Sequence, residues 1–248
     1  MSTRTLVKLL LATGVLLLIV SLVMRARLPE PGRLSPELLR EPEQTAVQEA
    51  PFKRQVNGVN YTIKPLYAYD LTGLVVSRHD SDTWWDYIHR EWNDHLNVID
   101  LCVVWGDNVA NGSYRQQSFS SGQFVCYWQA PSAEAFAAFS PYKISNNHII
   151  TDDHRLAKQF RTVRVGDQIR FRGYLAEYAH NHKGQPFLRG TSTTRMDTGN
   201  GACETVYATD LEILSRGGGL WHTLLWVAWA VIALAVVWWF RLPISQDR

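Results

Sequence analysis

The sequence predicts a mainly β (α+β) domain, with part of it a small barrel, flanked by two transmembrane helices. Three observations carry this reading. Residues 6–24 and 220–240 are two almost wholly apolar runs. The text between them repeatedly alternates polar and apolar residues, the period of a half-buried strand. The connection from the first run to that text, residues 25–51, carries Pro29, Pro31, Pro36, Pro42 and Pro51 among many Glu and Gln residues, the composition of a semi-extended spacer.

Each apolar run is long enough to cross a hydrocarbon core of about 30 Å at about 1.5 Å per residue. The first leads into Met24-Arg25-Ala26-Arg27 with no small-residue cleavage site. It therefore reads as an uncleaved signal anchor. The second holds no Lys, Arg, Asp or Glu, and Trp221, Trp238 and Trp239 sit at its ends, as interfacial belts do. Residues 1–5 and 241–248 are expected in the cytosol. The soluble domain, residues 52–215, is then expected in a bacterial periplasm, anchored at the cytoplasmic (inner) membrane. The bilayer is one expected partner, and the Trp-rich C-terminal helix a candidate for homo-oligomerisation.

Residues 52–215 hold 16 Lys/Arg against 17 Asp/Glu. A near-neutral domain argues against nucleic acid as partner, because that affinity rests on neutralising phosphates. A local basic run, Arg155, Lys158, Arg161, Arg164, Arg170 and Arg172, is expected to be a solvated face. No cofactor motif is present, so no cofactor is expected.

Along the domain, residues 61–76 read as extended and residues 97–105 as a buried strand. Another strand is expected from 123 to 129, and a short helix ending at Arg161 that buries Leu156 and Phe160. Residues 80–96 are expected to form a helix whose apolar face is Trp85, Ile88, Trp92 and Leu96. Beside that face lies the stripe Asp82, Asp86, His89 and Asn93. Two carboxylates and an imidazole on one face are weak candidates for a metal or an acid/base pair, with His148 as a completing group. A solvated face whose early Asp residues offset the helix dipole is the plainer reading.

The central stretch is residues 163–214. After the turn signal Val165-Gly166-Asp167, Ile169, Phe171 and Leu175 fall on one face and Gln168, Arg170, Arg172 and Tyr174 on the other. Gly173 within this strand signals a bulge or bend. Glu204 begins a closing strand with Val206, Ala208, Leu211 and Ile213. A turn, a strand with an internal glycine, a long loop and a closing strand resembles in architecture the oligomer-binding small barrel, the OB-fold, over about a fifth of the chain and without a specific motif.

The loop before the closing strand offers Arg189, Thr191, Ser192, Thr193, Arg195 and Asp197, with glycines that let backbone N–H groups face an anion. It is the expected ligand- or partner-binding segment. The cysteines are Cys102, Cys126 and Cys203. A disulfide between Cys126 and Cys203 is expected, with Cys102 a buried thiol in the most apolar strand. A nucleophilic Cys203 served by one of His148, His154, His180 or His182 lacks a local signature. The function expected is a membrane-anchored extracytoplasmic binding or interaction module whose partner is another envelope protein. The alternatives are a membrane-bound metal-dependent or acid/base hydrolase, and a two-span effector that oligomerises and perturbs the bilayer.

Overall fold

The computed structural model describes residues 2–194 and 203–242. The chain forms two compact units. One pairs helix α1 (Thr3–Arg25) with helix α6 (Leu220–Arg241), both long and apolar enough to cross a membrane. A glycine lets them meet closely: a Cβ on Gly14 would lie 2.8 Å from Ile232 Cγ1. The other unit is Leu28–Arg216.

That unit is mainly β, with the helical segments α2 (Ile88–Glu91), α3 (Asp107–Ala110), α4 (Ala133–Ala138) and α5 (His154–Arg161) between its strands. Its strands are β1 (Glu43–Ala46), β2 (Phe52–Val56), β3 (Val59–Asp80), β4 (Asn97–Val104), β5 (Ser118–Gly122), β6 (Val125–Gln129), β7 (Ile144–Ile150), β8 (Gln168–His182), β9 (Gln185–Arg189) and β10 (Glu204–Ser215). The large sheet runs β1-β3-β4-β7-β10-β8-β9, and β3 also pairs with β8. The pairing circuit β3-β4-β7-β10-β8 therefore returns to β3. All its pairs are antiparallel except β7 with β10, which is parallel. β5 and β6 form a separate hairpin.

The side-chain period of two explains the cores. On β4, Ile99, Leu101 and Val103 enter one apolar cluster with Leu71, Phe171, Leu175 and Val206. Cys102 and Val104 enter another with Leu38, Leu74, Tyr114 and Phe139. Both faces of β4 are covered, so all eight residues are buried, and its sequence is near-continuously apolar rather than alternating. Helix α5 (His154–Arg161) adds Leu156 and Phe160, one turn apart, to the first cluster. Its N-cap is Asp153, whose carboxylate accepts from Arg155 N at 2.7 Å and Leu156 N at 3.2 Å. Gly173 marks the closest approach of β8 to β10: a Cβ there would lie 2.1 Å from Tyr207 O. The pairing register slips one step further on, between Ala208 and Asp210.

Three expectations change. Residues 28–51 are not a free spacer. Leu38 is wholly buried, Gln168 clasps the segment through Ser35 N at 2.6 Å and Arg33 O at 3.0 Å, and β1 pairs with β3. One buried leucine and a strand ladder outweigh the solvated composition. The helix expected over 80–96 is only α2 (Ile88–Glu91), because β3 runs on to Asp80. Trp85 and Trp92 are about half exposed while Asp86 and His89 are buried, so these four exchange places, whereas Leu96 is buried and Asp82 exposed as expected. The disulfide joins Cys102 to Cys126, with Cα atoms 5.9 Å apart, not Cys126 to Cys203. The β5–β6 hairpin lies against β3, where Ser77 and Ser121 hydroxyls meet at 2.7 Å, and this brings Cys126 to β4. Cys203 is a free thiol.

Candidate functional site

A continuous chain of buried polar side chains runs between α2 and the start of β10. It begins at His79 near the end of β3. Its Nε2 lies 2.6 Å from Asp86 Oδ2, and the same oxygen lies 2.6 Å from His89 Nδ1. His89 Nε2 meets Asn97 Nδ2 at 3.0 Å, and that amide nitrogen also donates to Asp100 Oδ1 at 3.0 Å. Asp100 Oδ1 is 2.7 Å from His148 Nδ1, and its Oδ2 accepts from Phe124 N at 2.9 Å. The far side of His148 faces Arg189, whose guanidinium lies 2.7 Å from Nε2. None of His79, Asp86, His89, Asn97, Asp100 and His148 is more than 2 % exposed.

These contacts fix protons. Asn97 Nδ2 is a donor, so His89 Nε2 accepts and its ring proton sits on Nδ1, facing Asp86. Arg189 is likewise a donor, so its contact belongs to a His148 ring protonated on Nδ1 alone. Burial works against charge on His148, but the Asp100 carboxylate overrides it and raises the imidazole, to about 9. Asp100 is the counterpart: burial alone would raise it, and His148 brings it below the usual carboxylate range.

Aromatic rings roof this chain. Phe124, in the β5–β6 turn at φ 64°, lies 4.0 Å from the His89 ring and 5.3 Å from the His148 ring, centroid to centroid. The Arg189 guanidinium sits 4.4 Å over the Phe124 ring, a cation–π arrangement. Trp85 packs edge-on to His79, and Trp92 stacks on Phe124.

Cys203 stands beside His148. Its sulfur accepts from Asn146 Nδ2 at 3.7 Å and donates to Phe124 O at 3.9 Å. Burial pushes the thiol up. The neighbouring His148 more than offsets it, aided by Asn146 and Arg189, and the thiol falls below its ordinary value.

The residues singled out in the sequence separate into groups. Asp86, His89, His148 and Arg189 belong to the buried chain. Asp82 does not: it is exposed and pairs with Arg161 at 2.9 Å. Thr191 Oγ1 accepts from Thr205 N at 2.9 Å, Ser192 N donates to Cys203 O at 2.8 Å, and Thr193 O accepts from Gln44 Nε2 at 2.9 Å. Those three residues thus tie the loop base to β10 and β1. Arg195 and Asp197 lie outside the described residues. Three of the six members of the basic run are paired with acids: Arg161 with Asp82, Arg170 with Asp70, Arg172 with Asp210. Sequence reasoning missed His79, Asn97 and Asp100. A signal for one was present, since Asp100 is the single charge in the apolar strand 97–104.

Outside the buried chain, α2 and β9 flank a cleft of about 520 Å³ lined by Glu91, Trp92, Gln185, Phe187, Leu188 and Arg189. Leu188 in this cleft is strongly exposed, as are Trp84 and Tyr87 on the segment leading into α2. No protein-family model, curated protein or solved structure matches this chain.

Proposed function

We propose that Leu28–Arg216 is a membrane-tethered extracytoplasmic interaction module that engages another envelope protein through the cleft between α2 and β9. The observation that carries this reading is the cleft itself. Trp92 and Leu188, about half and 62 % exposed, stand beside Arg189, with Trp84, Trp85 and Tyr87 on the segment leading into α2. Trp, Tyr and Arg are the residue types that dominate protein interfaces, and exposed apolar patches of this kind mark interaction sites. The strand circuit supports an OB-like barrel as scaffold: five strands return on themselves, β7 and β10 are parallel, and helix α5 joins β7 to β8. The Cys102–Cys126 disulfide supports an oxidising compartment, and the two apolar helices support the bilayer as anchor.

The test places a photo-crosslinking residue at Leu188 in the full chain in intact cells. A discrete protein adduct from Leu188, absent from a control at exposed Lys64 and removed by Trp92→Ala in a folded protein, is the expected result. Equal adducts from both positions, or none from Leu188, refute the cleft as interface.

A second reading rests on Cys203 beside His148 and Asp100, the order of groups in a thiol-dependent hydrolase: nucleophile, base and orienting carboxylate. Arg189 holds the outer nitrogen of His148 in this geometry and has to move before that nitrogen can take the thiol proton. Rapid alkylation of Cys203 that is slowed at least tenfold in His148→Gln favours this reading. Alkylation no faster than an ordinary thiol removes it.

A further inference from the structure

We infer that His79, Asp86 and His89 form a site for one divalent first-row transition metal, with Zn²⁺ best matched to the donors. This does not depend on the interaction reading above. Three ligand atoms from β3, the turn after it and α2 lie within 4.8 Å of one another, all buried. Two imidazoles and a carboxylate are the ligand types that Zn²⁺ takes in three-ligand sites.

Two features point to a cation. The first is charge. Asp86 is wholly buried, and its ion-pair partners among the described residues are the two histidines, with no Lys or Arg. Its hydrogen-bond donors are the two imidazoles and His89 N, and a buried carboxylate flanked by two imidazoles is a ligand arrangement that a cation completes. The second is an orphaned atom: His79 Nδ1 is buried without a hydrogen-bond partner. An orphaned polar atom in a buried cluster marks a network that the protein alone does not complete, and a metal on Nε2 displaces to Nδ1 the proton that Asp86 Oδ2 holds there at 2.6 Å.

Loading requires small, definable movements. The 2.6 Å separations around Asp86 Oδ2 are hydrogen-bond distances. Metal bonds of about 2.0–2.2 Å set ligand atoms about 3 Å apart, so the two Asp86–histidine separations open by roughly half an ångström. His89 would bind through Nδ1, moving its proton to Nε2. That proton needs an acceptor, and Asn97 Oδ1 is buried and unpartnered. A half-turn of the Asn97 amide brings it there, at the expense of the 3.0 Å bond to Asp100. A metal-bound histidine usually donates its second ring N–H in this way. Access runs through a cleft of about 320 Å³ on the other side of His89, lined also by Ser81, Asp82, His95, Thr151 and Asp152. Asp82 lies along this entrance rather than in the ligand set.

The experiment uses the full chain in detergent, stripped with a chelator and desalted, then given Zn²⁺ or Co²⁺ alone. Retained metal is measured by mass spectrometry and the Co²⁺ form by absorption. About one ion per chain is expected in the wild type, in Asp82→Asn and in Cys203→Ser. Retention should weaken at least about tenfold in His79→Gln and in His89→Gln. The Co²⁺ spectrum should show visible bands of a nitrogen/oxygen site and no near-ultraviolet thiolate band. A wild type that retains no metal, retention that survives His79→Gln, or a thiolate band lost in Cys203→Ser overturns the assignment. If the Gln variants fail to fold, the Co²⁺ spectrum of the wild type decides alone.

Discussion

Replacing Asp100 by Ala tests whether the buried polar chain holds the domain together. The carboxylate is 1 % exposed and receives three donors: His148 Nδ1 at 2.7 Å, Asn97 Nδ2 at 3.0 Å and Phe124 N at 2.9 Å. Asn97 keeps its contact with His89, so two donors, His148 Nδ1–H and Phe124 N–H, lose their acceptor entirely. Each orphaned buried group costs about 1–3 kcal/mol, which gives about 2–6 kcal/mol and brackets the cost of breaking a buried charged pair. For a domain of this size each kcal/mol shifts Tm by roughly 2–4 °C, so a fall of about 10 °C is expected. The assay is thermal melting of the full chain, followed by near-ultraviolet circular dichroism, which reports the packed aromatic roof. Glu177→Ala is the internal control. Its pair with Lys64 spans 3.1 Å, but the side chains are 54 % and 38 % exposed, and such a pair contributes about 0–1 kcal/mol. Asp100→Asn should fall between the two, since one carbonyl oxygen remains for Phe124 N. An Asp100→Ala Tm within about 3 °C of the Glu177→Ala value refutes the reasoning.

Four further outcomes are expected. Cys126→Ser opens a loop whose ends are 24 residues apart, which lowers stability by about 3 kcal/mol. Cys203→Ser leaves Tm nearly unchanged and removes the one thiol that alkylates without reductant. Gly173→Ala forces a Cβ to within 2.1 Å of Tyr207 O; strand separation at that point should cost about 1–3 kcal/mol or more, read as loss of soluble, folded chain in a melting assay. The Asp100–His148 pair carries a pH signature. His148 is raised to about 9, so its contribution is fully present below the unfolded value of about 6.5 and is lost as pH rises through about 9. Arg189 from β9 and Cys203 ahead of β10 face the same ring. Arg189 docks on Nε2 only once the ring is singly protonated. A melting profile of the wild type that is flat from pH 6.5 to 10, or one unchanged by Asp100→Asn, contradicts this.

Much of the architecture was readable because it depends on local period and composition. The two apolar runs need only length and hydropathy to qualify as spans. The strands at 97–104 and 168–182 announce themselves by β-branched and aromatic residues, and Gly173 by its place inside a strand. The helix at 154–161 follows from an acidic cap and the i, i+4 pair Leu156 and Phe160. The expected span 80–96 failed for an instructive reason. Trp85, Ile88, Trp92 and Leu96 do have helical spacing, but that pattern assumes the aromatic residues go inside. In the fold His79 on β3 draws Asp86 and His89 inward, and the tryptophans are left on the surface around them.

The sequence alone thus determined that this chain is a β-rich domain flanked by two helices apolar enough to span a membrane, because those features are summed over many neighbouring residues. It also nominated Asp86, His89, His148, Arg189 and Cys203 as residues of interest, without saying which would meet. Only the tertiary structure decided the pairings. Cys102 reaches Cys126 because a hairpin folds over β3, Asp82 is turned out to Arg161, and Asp100 and His79, scarcely noticeable in the text, become the centres of the buried chain. The physical reason is that these contacts join residues that belong to different elements of the fold. Their proximity is set by strand register and by where a hairpin docks, and neither is encoded in the spacing of the residues that finally touch.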